Sequence, residues 1–281
     1  MNKKIINRYE IRIWTARRSG HHAVINWLAS MFMLKEAIYN KVFFHNNVAM
    51  GTNPYMKNPS LRGNELSKFF WPVWDIKNKE DAVNFFPRIY KDCVIYNHEN
   101  ASIKKGVEGI YSDDVLGKSD KKFDVLVVRS FENQLASILK SVKEEDRYKR
   151  ERLINRINRV YNPLYHTNIL EFLGETNYLP FTKALIFFDL WVSSKVYREK
   201  KAEEMGLVNN DYTLNYMANY RNRGSSFEDL NIYYNKAKEM KVLERYKEFS
   251  DDLDYNKIMQ ENYLLIKLSK ELLNKEQEKY L

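Results

Sequence analysis

Cysteine is nearly absent: Cys93 is the only one in 281 residues, which excludes a disulfide framework and any cysteine-rich zinc site. No run approaches ~18 uninterrupted apolar residues, so no segment is expected to span or stably insert into a membrane. The opening stretch, MNKKIINRYEIRIW, lacks the apolar core of roughly 7–15 residues that a secretory leader carries. The expectation is a soluble, cytoplasmic chain. There is no internal repeat, low-complexity linker or hinge rich in proline and glycine, and the chain reads as one domain over residues 1–281. Lysine is missing between Lys4 and Lys35, a gap that bears on the chemistry below.

Apolar residues are plentiful, with 44% hydrophobic and 14% aromatic, so the composition is that of a chain with a buried core. The formal charge of +9 points to anionic partners. Acidic residues are interspersed nearly everywhere, and no basic stripe alternates with aromatics, so nucleic acid is not the expected partner. Tyr9 to Thr15 alternates as a strand does, and from Ala23 the apolar residues Val24, Leu28, Met31 and Phe32 follow helical spacing. KDCVIY (91–96) and FDVLVV (123–128) read as further strands, the second as a central one covered on both faces. Residues 132–143 read as a helix with Leu135, Ile138, Leu139 and Val142 inward. The spacing predicts one long helix within 178–205 and another over 254–274. Strands separated by helices favour an α/β fold with a central, mainly parallel sheet, flanked by helices and followed by a helix-rich C-terminal half.

The densest chemistry lies where the first strand gives way to the first helix, in Ala16-Arg17-Arg18-Ser19-Gly20-His21-His22-Ala23. The first N–H groups of a helix have no intrahelical partners and sit at the positive end of its dipole, so such a turn attracts phosphate or sulfate. Gly20 is expected to let the backbone approach an anion closely. Ser19 offers a hydroxyl, Arg18 a fixed charge, and His21 and His22 further donors. A nucleoside-triphosphate loop of the G-x-x-x-x-G-K-[ST] type needs a lysine that this stretch lacks. The plain alternative is a solvated loop in which Ser19 caps the helix.

The order cation-Ser-Gly in RRSGHHAVINWL resembles the loop by which sulfotransferases hold the 5′-phosphosulfate of 3′-phosphoadenylyl sulfate (PAPS), with histidines where hydroxyl residues usually stand. VLVVRSFENQLASILKS is similar to that family's second motif, in which an arginine at a strand end and a serine eight residues on grip the 3′-phosphate. The matching residues are Arg129 and Ser137. Arg223-Gly224-Ser225 in RNRGSSF resembles the loop that closes over the 3′-phosphate side, without its usual lysine. SGHHA and RGSSF together look like a bacterial and marine-viral branch of the superfamily. The resemblance implies a P-loop-like three-layer fold, PAPS as donor, its product PAP (adenosine 3′,5′-bisphosphate), and no metal.

Sulfuryl transfer also needs a base for the acceptor, best placed at a strand end. VIYNHEN supplies His98 and Glu99, of which the resemblance favours Glu99 while the ordinary pKa of histidine suits His98. His45 in VFFHNN is a third candidate, for the base or for the acceptor pocket. Residues 53–75 contain two tryptophans, two phenylalanines and a tyrosine, which would either stack on a carbohydrate acceptor or plug the core. The competing functions are a nucleotide-dependent phosphotransferase and a non-catalytic nucleotide or nucleic-acid binder.

Overall fold

The computed structural model describes residues 5–32, 42–45, 90–105, 116–142, 146–211, 214 and 241–281. The alternating run at the start forms β1 (Ile5–Thr15), and the helical run after it forms α1 (His21–Ser30). β2 (Val42–His45), β3 (Lys91–Glu99), β4 (Lys118–Val128) and β5 (Thr182–Phe187) complete a five-stranded sheet in the order β2-β3-β1-β4-β5, with every neighbouring pair parallel. The β1-to-β2 connection runs one way across this sheet, and the β3-to-β4 and β4-to-β5 connections run the other way. Right-handed crossovers in opposite directions place their helices on opposite faces, which makes three layers. Helices α2 (Phe131–Leu139), α3 (Arg147–Arg156) and α4 (Asn162–Leu173) lie between β4 and β5, with a π-helical turn, Ile157–Tyr161, joining the last two. After β5 come α5 (Phe188–Ser193), α6 (Lys195–Glu204), a 3-10 turn at Arg245–Phe249, α7 (Leu253–Glu261) and α8 (Tyr263–Tyr280).

The two faces of β1 carry different chemistry because successive side chains alternate. Tyr9, Ile11 and Ile13 face α1, where Tyr9 meets Phe32 edge-on at 5.2 Å. Trp27 of α1 packs edge-on against Trp191 of α5, 5.8 Å between ring centres. The opposite face holds Glu10, Arg12 and Trp14. Asp124 interrupts the apolar run of β4 there and is fully buried. Its carboxylate accepts from Arg12 Nε and Nη2 and Trp14 Nε1, each at 2.8 Å, and from the Phe181 amide at 2.9 Å. Four donors on a bidentate pair offset the desolvation that a lone buried carboxylate would suffer.

Three sequence expectations need correction. β3 does not stop at Tyr96 but continues through Asn97, His98 and Glu99, because pairing with Ile13, Trp14 and Thr15 of β1 carries the polar residues along. The segment 178–205 is not one helix. Its apolar part is strand β5, and Ser194 then ends α5 and caps α6 by accepting from the Tyr197 amide. A short apolar run fits strand and helix equally, and pairing with β4 decides it. The predicted helix over 254–274 is two helices, divided at Asn262.

Candidate functional site

β1 and β4 are neighbours whose outgoing connections diverge, so the topological switch point lies beyond their carboxyl ends, the usual ligand position in an open parallel sheet. The turn after β1 forms one wall. Arg18 and Gly20 take left-handed φ values of 64° and 88° on either side of Ser19. Alternation of this kind turns successive N–H groups toward one side, a concavity suited to an anion. Among the described residues, the N–H groups of Gly20 and His21 have no acceptor.

Packing also requires glycine at position 20: a Cβ there would lie 2.3 Å from Cε2 of Phe188, whose ring fills the space on that side of the backbone. Ser19 does not cap α1: the N-cap is Gly20, with no side-chain cap. The Ser19 hydroxyl is fully buried and has no hydrogen-bond partner among the described residues. Both ring nitrogens of buried His21 are in the same condition, and its ring lies 4.2 Å from that of His22. Burial, then the charge of Arg18, lowers the pKa of His21 to about 4. Burial, then His21, lowers His22 to about 3 against the opposing pull of Glu99. Both are neutral at pH 7, and a neutral imidazole offers one N–H and one acceptor nitrogen. Half-buried Arg17 reaches from the turn to the Tyr161 hydroxyl at 3.4 Å, and Ala23 follows in the first turn of α1.

Arg129, directly after β4, forms the other wall. It is 1% exposed and ion-pairs with no carboxylate among the described residues. Nη1 donates to the Arg18 carbonyl at 3.4 Å and Nη2 to the Val242 carbonyl, the guanidinium sits 5.5 Å over the Phe188 ring, and Nε has no partner among the described residues. Burial pulls its pKa down to about 9, so it is still cationic at neutral pH. Asp189 is the acid that acts on it, but that carboxylate already accepts from the Ser130 amide at 2.8 Å and the Ser130 hydroxyl at 2.6 Å. Arg245 completes this wall and was not anticipated. It donates to the Ser137 hydroxyl at 3.4 Å and lies within electrostatic reach of Arg129. Arg245 thus links the two expected residues, bonded to Ser137 and acting electrostatically on Arg129.

The alternation along β3 separates the two candidate bases. Glu99 pairs with Thr15 on the α1 face, where its charge acts on His22. His98 pairs with Trp14 on the other face, 1% exposed and stacked on that indole at 4.3 Å. His45 ends β2 at the sheet edge, with β3 between it and β1. Arg223, Gly224, Ser225 and the aromatic stretch 53–75 lie outside the described residues. Among the described residues, no cluster of three His, Cys, Asp or Glu is arranged to hold a metal ion. No protein-family model, no curated protein and no solved structure matches the chain.

Proposed function

We propose that the chain is a PAPS-dependent sulfotransferase that passes a sulfuryl group to a hydroxyl or amine acceptor, a carbohydrate being the class suited to the aromatic stretch. The observation that carries the reading is Arg129, a buried cation that pairs with no carboxylate among the described residues, beside a turn whose Ser19 hydroxyl and His21 ring nitrogens have no hydrogen-bond partner among them. Burying a charge is costly unless something pairs with it, and a phosphate supplies both the charge and the acceptors. A bisphosphate donor suits a site with two cationic walls. Arg18, Ser19, His21, His22 and the turn amides would hold the 5′ side, and Arg129, Ser137 and Arg245 the 3′-phosphate. Bound there, PAPS would supply a sulfuryl group on a phosphate leaving group of low pKa, so this reading needs no metal. Arg18 would neutralise charge developing on the leaving phosphate, and Glu99 would take the acceptor's proton.

A magnesium-dependent phosphotransferase fits less well, because the turn has no lysine to reach a transferred phosphate. Calorimetric titration separates the readings. PAP is expected to bind with roughly micromolar affinity without metal, ATP–Mg²⁺ not to compete, and Arg129→Met to abolish PAP binding. Folded protein that ignores PAP would overturn the proposal.

A further inference from the structure

We infer that Asn100 and Gln134, two residues outside the proposed ligand set, are positioning residues that hold the anion turn in its binding conformation before any anion arrives. The inference rests on the proposed anion site, and the observation behind it is a clamp on the Arg17 peptide. Asn100 follows Glu99 in the left-handed region, φ 60°, which asparagine tolerates better than most residues. From there its N–H donates to the Thr15 carbonyl at 2.8 Å, and its Oδ1 accepts from the Arg17 N–H at 2.8 Å. On the other side, Gln134 of α2 donates from Nε2 to the Arg17 carbonyl at 2.8 Å. Gln134 is 3% exposed and its Oε1 is otherwise unpartnered among the described residues.

The consequence falls on Arg18. The peptide before it is fixed by Gln134. The peptide after it is fixed twice, by the Ser19 N–H to the Ala16 carbonyl at 3.3 Å and by Arg129 to the Arg18 carbonyl at 3.4 Å. A non-glycine residue persists in the left-handed region only where its surroundings over-determine it, and this is such a place. The turn is therefore set by three elements at once: the end of β3, the first turns of α2, and the residue after β4. The same Asn100 bonds tie the end of β3, with Glu99, to the turn that would hold the donor, so one residue also fixes the spacing between the proposed base and the donor site.

The test is amide hydrogen exchange across residues 16–22 in the ligand-free full chain, beside calorimetry with inorganic phosphate and with PAP. Asn100→Gly keeps the backbone conformation and removes Oδ1; Gln134→Met keeps the bulk and removes the donor. In each, exchange of the turn is expected to rise about tenfold, with the dissociation constants rising by a smaller factor, because exchange follows the open population while apparent affinity follows the competent fraction. Asn100→Asp keeps an acceptor oxygen and is expected to keep wild-type exchange. Saturating phosphate should restore protection in the two weakened variants. The substitutions lie on different elements, so a folding defect in one leaves the other readable. Wild-type exchange in both Asn100→Gly and Gln134→Met would overturn the clamp. Wild-type protein that binds phosphate but not PAP would sink the donor reading, while the exchange comparison would still decide the clamp.

Discussion

At Arg129, stability and the proposed anion binding pull apart. Its guanidinium is buried, charged and, among the described residues, bonded only to two carbonyls, and the nearby carboxylate of Asp189 is engaged by Ser130. An uncompensated buried ion costs several kcal/mol, whereas a carbonyl bond from a charged donor returns about 1.5–3 kcal/mol at good geometry, and the bond to the Arg18 carbonyl is stretched to 3.4 Å. Arg129→Met should therefore leave the anion-free protein as stable as wild type or up to about 2 kcal/mol more stable. It should also lose the stabilisation that phosphate gives wild type. Denaturant unfolding with and without phosphate measures both effects, and a large loss of anion-free stability would make Arg129 a structural strut. Arg129 was legible in the sequence because it ends an apolar run. Arg245 was not: it sits in ERYKEF, where charges alternate without a motif, and only the 3-10 turn at Arg245–Phe249 brings it to Ser137. Asp124 was hidden for the opposite reason, as one acid in a strand whose partner, Arg12, is 112 residues away in sequence.

At the scale of elements, the junction of β1 and α1 carries a pH dependence. Burial holds His21 at about 4 in the folded chain, against the ordinary 6.5 it regains on unfolding. Between those values the unfolded chain binds a proton that the folded chain does not, so stability falls as pH drops from about 6.5 to about 4. For this nearly inaccessible ring the loss is roughly 3 kcal/mol. His22, which burial lowers to about 3, adds to the same limb, so His21→Gln should make it shallower without removing it, and phosphate should do the same in wild type by favouring the protonated rings. Unfolding free energies measured from pH 4 to 7 check both. An unchanged limb in the variant would mean that His21 is not the titrating group. This junction was readable because the period changes from two to 3.6 within a few residues. The ends of β3 and β5 were not, because a polar NHE tail and an apolar ALIF run become strand only through the neighbours they pair with.

Over the whole molecule, strand order decides what the local motifs can do together. Nothing in the sequence places β1 between β3 and β4, yet that placement sets the turn at 16–20, the end of β3 and Arg129 around one crevice. The formal charge of +9 is a separate matter. Much of it is on the surface, as along α3, where Arg147, Arg152 and Arg156 are exposed. Such charges attract any polyanion and are screened at physiological salt, while a cluster as buried as Arg129 and Arg245 is screened far less. The two kinds of charge therefore predict different salt dependences. Random duplex DNA should bind weakly and lose its affinity steeply by about 0.2 M salt, with a slope that counts displaced counterions. PAP binding should fall only several-fold over the same range, because its partners lie inside the crevice. Parallel titrations from low to physiological salt compare the two. If DNA keeps its affinity while PAP loses its own, the surface charge is the functional one, and the crevice between β1 and β4 needs another ligand.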